Sequence, residues 1–258
     1  MARQSGRMTL MQLRVATWNL NARTHARPVP AWVGRELVGL QADLLVLTEH
    51  VPSGEEPSLP QVLQEGGAAT VSVSGDQGSR ENRILIATKE PHTLGPIAQP
   101  ELDLVSAHAN FLCVTLASGV IGVGFRMPDY SKTPGGYALL WDWLFDALAP
   151  YRGKDLILAG DLNADFIRPL DRKLRLAERF SEIGLQLVPV ADGVSFRGKR
   201  GPGTRIDHVF VGGSLRGVSG TYSWEAIDRE HPRCAGCSHP VPDHALTLVT
   251  VSAPMIPE

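Results

Sequence analysis

Four short apolar runs crowd the middle of this chain: Val71–Gly75 (VSVSG), Asn82–Thr88 (NRILIAT), Ala109–Ala117 (ANFLCVTLA) and Val120–Phe125 (VIGVGF). Turns containing Gly, Pro, Ser and Asp separate them, with no room for the crossover helix that parallel pairing needs, so they are expected to pair antiparallel. The flanks follow a different pattern. Leu13–Thr17 is a short β-prone run, Trp32, Val33, Leu37 and Leu40 then recur at helical spacing, and Asp43–Thr48 (DLLVLT) is unbroken in the manner of a buried strand. That is strand, helix, strand. Over Tyr137–Leu148 the residues Leu140, Trp143, Leu144, Ala147 and Leu148 share one helix face, ahead of the strand in DLILAG, and another helix is expected after Pro169. LQLVPV, RIDHVFV, SGTYSWE and HALTLVTVS return to strands. A purely parallel doubly wound sheet fails on these runs. The fold class is α/β, with two mixed β-sheets packed face to face and helices on the outside.

Composition limits the partners. With 25 Lys+Arg against 27 Asp+Glu the formal net charge is -2, so a nucleic acid would have to meet a local basic surface. Three Cys cannot frame 258 residues with disulfides, and no apolar stretch approaches the roughly 18 residues of a membrane span. The chain reads as a soluble, cytoplasmic monomer, with residues 1–10 a flexible tail and 11–254 one domain.

The chemistry lies where acids, amides and one imidazole meet the strands. Asn19 follows RVATW, Glu49 follows LLVLT, Asp161 and Asn163 follow LILAG, Asp207 sits in RIDHVFV, and Asp243-His244 opens HALTLVTVS. Any one of these is explained as a turn or cap residue. Their recurrence at strand ends asks for a shared cause, because carboxylates beside buried strands cost several kcal/mol unless paired or metal-bound. A hard divalent cation is such a cause, since Mg²⁺ or Mn²⁺ takes one or two carboxylates together with water and phosphate oxygens.

ATWNLN, LTEH, NRILIAT, GFRMPDY, AGDLNAD, RIDHVFV and PDHALT, in this order, resemble the endonuclease/exonuclease/phosphatase superfamily of deoxyribonuclease and exonuclease III-like phosphoesterases. The resemblance implies a four-layer α/β sandwich with its active site at one end of the two sheets. It implies Glu49 as principal metal ligand, Asn19 and Asp243 completing the metal environment, Asp161 and Asn163 orienting and activating water, and Asp207-His244 as an Asp-His pair. Which of Asp161 and His244 takes the water proton stays open. Arg126 stands where many members carry His or Tyr; its forked guanidinium suits a phosphate oxygen, the alternative being a surface salt bridge. The implied activity is metal-dependent hydrolysis of phosphate esters, of the phosphodiesterase or nuclease type. A nucleotide or phosphoinositide phosphomonoesterase and a catalytically retired binding module are the alternatives.

Two further groups stand out. Arg197, Lys199, Arg200 and Arg205 crowd the Gly-rich SFRGKRGPGTR, which reads equally as a seat for a flanking phosphate or a solvated loop. His231, Cys234, Cys237 and His239 hold zinc-type ligands, but His239 lies too close to Cys237 for easy chelation by all four, so a reduced surface loop is expected.

Overall fold

The computed structural model describes residues 10–21, 29–52, 57–75, 81–104, 107–128, 135–166, 169–197, 203–230 and 242–254. Residues 1–9 of the tail expected over 1–10, Lys199, Arg200 and the His231–His239 cluster lie outside them, whereas Leu10 already belongs to the first strand, paired with Pro254. The first sheet contains β1 (Leu10–Asn19), β2 (Leu44–His50), β3 (Thr70–Val73), β4 (Arg83–Thr88), β11 (Arg216–Ser223) and β12 (Leu246–Pro254), in the order β11-β12-β1-β2-β4-β3. The second contains β5 (His92–Leu94), β6 (Phe111–Leu116), β7 (Ile121–Phe125), β8 (Leu156–Asp161), β9 (Gln186–Leu187) and β10 (Asp207–Val211), in the order β5-β6-β7-β8-β10-β9.

Both sheets are mixed. The helix α1 (Ala31–Gly39) carries the chain between the parallel strands β1 and β2, and α3 (Gly136–Leu148) does the same between β7 and β8. The middle strands pair antiparallel, as their short connections require. Leu13, Val15, Val46, Ile86, Ile157 and Val209 belong to the apolar layer between the sheets. A second cluster packs α1 on the first sheet through Trp32, Val33 and Leu37, and a third packs α3 on the other through Leu140, Trp141 and Leu144. Helix, sheet, sheet, helix gives the four layers, each seam stabilised by roughly 1.5–3 kcal/mol per fully buried large apolar side chain.

Three details depart from the sequence expectation. The LQLVPV segment contributes only a two-residue strand, since Pro189 offers no N–H. Val188 N–H still bonds Val209 O of the second sheet, whereas Ala191 N–H bonds Gly220 O of the first, so the segment passes from one sheet to the other. The helix expected after Pro169 is two, α4 (Pro169–Lys173) and α5 (Leu176–Glu182), broken where Arg175 takes φ 52°. Two short helices, α2 (Leu59–Glu65) and α6 (Glu225–Glu230), were not anticipated.

Gly160 fixes how close β7 and β8 approach beside the site. Its φ is 145°, and a Cβ there would stand 1.9 Å from Phe125 O, a backbone atom that cannot step aside. Gly160→Ala is therefore expected to lower stability by more than about 2 kcal/mol, read as a fall in Tm. A variant melting like the wild type would contradict this packing.

Candidate active site

Strand parity delivers three of the polar residues. Leu13 and Val15 of β1 face the layer between the sheets, and the two-residue period carries that row to Asn19. Ile157 and Ala159 lead in the same way to Asp161, and Val211 and Val209 to Asp207. The apolar interior thus ends in Asn19, Asp161 and Asp207, each at most 2% exposed.

Glu49 arrives by another route. Leu45 and Leu47 of β2 pack on the helix side, so a regular strand would send Glu49 there too. Instead the register against β4 shifts between Leu47 and His50, and Glu49 adopts φ 54°. The left-handed backbone costs roughly 1–2 kcal/mol and turns the carboxylate toward Asn19.

Asn19 Oδ1 accepts the Asn21 N–H at 2.8 Å, which orients the amide. Its Nδ2 then donates to Asp161 Oδ2 at 2.8 Å and Glu49 Oε1 at 3.3 Å, so Asn19 bridges the two carboxylates as a donor. Asn163 (φ 47°) donates its N–H to Asp161 Oδ1 at 3.0 Å and its Nδ2 to Met127 O at 2.6 Å, clasping the loop after β7 to the loop after β8. On the neighbouring strand Asp207 stands directly across from Asp161. Asp207 Oδ2 meets His244 Nδ1 at 2.8 Å, and His244 Nε2 lies 3.8 Å from Asp243 Oδ1. Arg126 Nη2 pairs with Glu49 Oε1 at 2.5 Å, and its Nη1 is 3.4 Å from Asn110 Oδ1.

Residues without a sequence signature hold this arrangement. The buried Ser195 Oγ accepts the N–H groups of Ile206 and Asp207 at 2.8 and 3.0 Å, fixing the start of β10. Trp18 Nε1 donates to His244 O at 2.7 Å, and Phe196 lies against the imidazole with ring centroids 5.0 Å apart. Of the basic loop residues, Arg197 is held by Asp228 at 3.0 Å and lies over Trp224, and Arg205 Nε donates to Gly193 O at 2.8 Å.

Burial, then the facing Asp207, pushes the Asp161 carboxyl up to about 6. Burial alone would lower His244, but the charge and hydrogen bond of Asp207, with Asp161 and Asp243 nearby, outweigh it and raise the imidazole to about 10. His244 is therefore a cation at neutral pH. A raised folded pKa contributes stability that is complete below the unfolded value near 6.5 and is lost as pH rises through 10. The Tm advantage of wild type over His244→Gln is accordingly expected to be largest at and below about pH 6.5 and to shrink progressively toward pH 10. A pH-independent difference would deny the charged pair.

The ligand atoms of Asp161, Asp207 and His244 all lie within 4.8 Å of one another. This trio shares no residue with the metal set expected from sequence, Asn19, Glu49 and Asp243, and is made instead of residues expected to act on water and as the Asp-His pair. Because His244 is already a cation bound to Asp207, it serves as a charge partner to the acids, and oxygen atoms are the better ligands. A divalent cation fits them. With Glu49, Asp161, Asp207 and Asp243 ionised, Arg126 and His244 leave two negative charges uncompensated, and Asp207 Oδ1 is buried with no hydrogen-bond partner among the described residues.

Acids, amide and imidazole thus gather at one end of a two-sheet α/β sandwich. The model of the Endonuclease/Exonuclease/phosphatase family matches residues 16–236, and the chain belongs to that family. Among solved structures it is similar to an AP endonuclease from Archaeoglobus fulgidus, at 19% identity and TM-score 0.64 over 95% of this chain and 100% of the other. An endonuclease/exonuclease/phosphatase from Beutenbergia cavernae aligns at 17% identity and TM-score 0.64, covering 94% of this chain and 72% of that one. An AP endonuclease from Leishmania major aligns at 13% identity and TM-score 0.64, covering 94% and 88%. No curated protein matches the chain by sequence.

Proposed function

We propose that this chain is a divalent-metal-dependent phosphodiesterase of the nuclease type, which hydrolyses its ester by in-line attack of water on phosphorus. The observation that carries the reading is the meeting of Asn19, Glu49, Asp161, Asp207 and His244 around one spot with negative charge in excess. Mg²⁺ or Mn²⁺ would be held principally by Glu49, with Asn19 and Asp243 completing the set, and supplies Lewis-acid polarisation of a phosphate oxygen when bound. Asp161, oriented by Asn19 and Asn163, accepts the proton of the attacking water. His244, kept cationic by Asp207, donates to a phosphate oxygen as charge gathers on it. Arg126 supplies a forked donor to the same phosphate.

Nucleic acid is the substrate class this reading favours, supported by the likeness in fold to two AP endonucleases. No helix among the described residues is long and apolar enough to cross a membrane. A panel of supercoiled DNA, RNA, bis(p-nitrophenyl) phosphate and phosphomonoesters, each with Mg²⁺ or Mn²⁺, tests the proposal. Cleavage of diesters and sparing of monoesters is expected, and hydrolysis of monoesters alone would refute it.

A further inference from the structure

Arg126 lies in the loop that follows β7, in the second sheet, and Glu49 is the penultimate residue of β2, in the first. Their ion pair therefore joins the two sheets across the mouth of the site. It is largely shielded, with side-chain exposures of 14% and 9%. The pair occupies Glu49 Oε1, the same atom to which Asn19 Nδ2 donates. A divalent cation reaching Glu49 would thus meet a carboxylate whose charge a guanidinium has already compensated.

The other holds on Arg126 leave it able to move. Its backbone N–H bonds Asn110 O at 3.0 Å, which anchors the main chain, whereas the Nη1 contact to Asn110 Oδ1 is long at 3.4 Å. Arg126 Nε is buried with no hydrogen-bond partner among the described residues. The guanidinium has donor capacity beyond the two contacts it makes.

We propose that Arg126 is an exchangeable counter-ion: it neutralises Glu49 in the metal-free protein, yields that carboxylate to the incoming cation, and is thereby released to grip the substrate phosphate. This rests on the reading of Glu49 as the principal cation-holding residue. Cation and phosphate then favour one another through one side chain, each raising the other's affinity by the same factor. The device also limits the metal-free enzyme's grip on phosphate esters, since its forked donor is turned to Glu49 until a cation arrives.

The test is calorimetric binding of Mn²⁺ to the wild type, Arg126→Met, Arg126→Lys, Glu49→Gln and the double variant, with Tm confirming that each is folded. Arg126→Met is expected to bind Mn²⁺ about tenfold more tightly than wild type, with Arg126→Lys between them because an ammonium keeps the charge and loses the fork. In the Glu49→Gln background the gain from Arg126→Met should vanish, which separates exchange at this carboxylate from mere removal of a nearby positive charge. Dimethyl phosphate should tighten Mn²⁺ binding to wild type by a larger factor than to Arg126→Met, where only the direct contacts of the phosphate with the cation and His244 remain. Unchanged or weaker Mn²⁺ affinity in folded Arg126→Met overturns the exchange, and should that variant not fold, unchanged affinity in Arg126→Lys does so. Wild-type Mn²⁺ affinity in Glu49→Gln would instead overturn the assignment of Glu49, leaving the two failures distinguishable.

Discussion

Asp161→Asn should lower turnover by about a thousandfold while raising the melting temperature of the metal-free protein. The two effects share an origin. Asp161 is buried, faces Asp207 across β8 and β10, and has its pKa pushed up to about 6 by burial and then by that neighbour. Its charge thus opposes folding, and an amide of the same shape removes the repulsion at the cost of one of the two hydrogen bonds the carboxylate accepts from Asn19 Nδ2 and Asn163 N–H. The same substitution removes the acceptor for the water proton. Steady-state kinetics beside a melting curve in chelator read both effects. A variant that loses activity and stability together would place Asp161 among the structural supports, outside the chemistry.

The second large effect concerns Asp207 and His244, joined at 2.8 Å and both buried. Asp207→Asn removes the charge that keeps the imidazole protonated, and His244→Ala removes the donor itself. Each should cost about a hundredfold or more in kcat, and the double variant should lose far less than the product of the two, because the residues act as one unit. Losses that multiply in a double-mutant cycle would show that the pair does not work together.

How much of this could be read from the chain depended on the physical cause of each placement. Asn19, Asp161 and Asp207 stood out by their place beside apolar runs and by motif, and the structure shows that they extend the inward rows of β1, β8 and β10. Glu49 stood out in the sequence as the acid that follows LLVLT and through the motif LTEH. Alternation would have sent it to the helix side, and only a register shift with φ 54°, invisible in a run of apolar letters, brings it to the site. Sequence offered phosphate binding or a surface salt bridge for Arg126, and the largely shielded pair with Glu49 was not anticipated, because that contact joins two sheets through residues far apart in the chain. Ser195 carried no signature, since a lone Ser in a loop gains its role only from the two N–H groups that reach it.

The helices show the same division. The thirteen residues of α3 span enough turns for one apolar face to be visible. The seven of α2 do not, although Ser58 and Gln61 form a capping box at its start. Pro189 explains why LQLVPV yields so short a strand, and its effect depends on which N–H the neighbouring strand requires.

The most direct measurement of the central claim is hydrolysis of a phosphodiester by protein stripped with chelator, before and after Mg²⁺ or Mn²⁺ is restored, with Glu49→Gln run alongside. Activity is expected to vanish in chelator, to return with either cation, and in Glu49→Gln to require much more metal or not return at all. Full hydrolysis in chelator by the wild type, unaffected by Glu49→Gln, would contradict it.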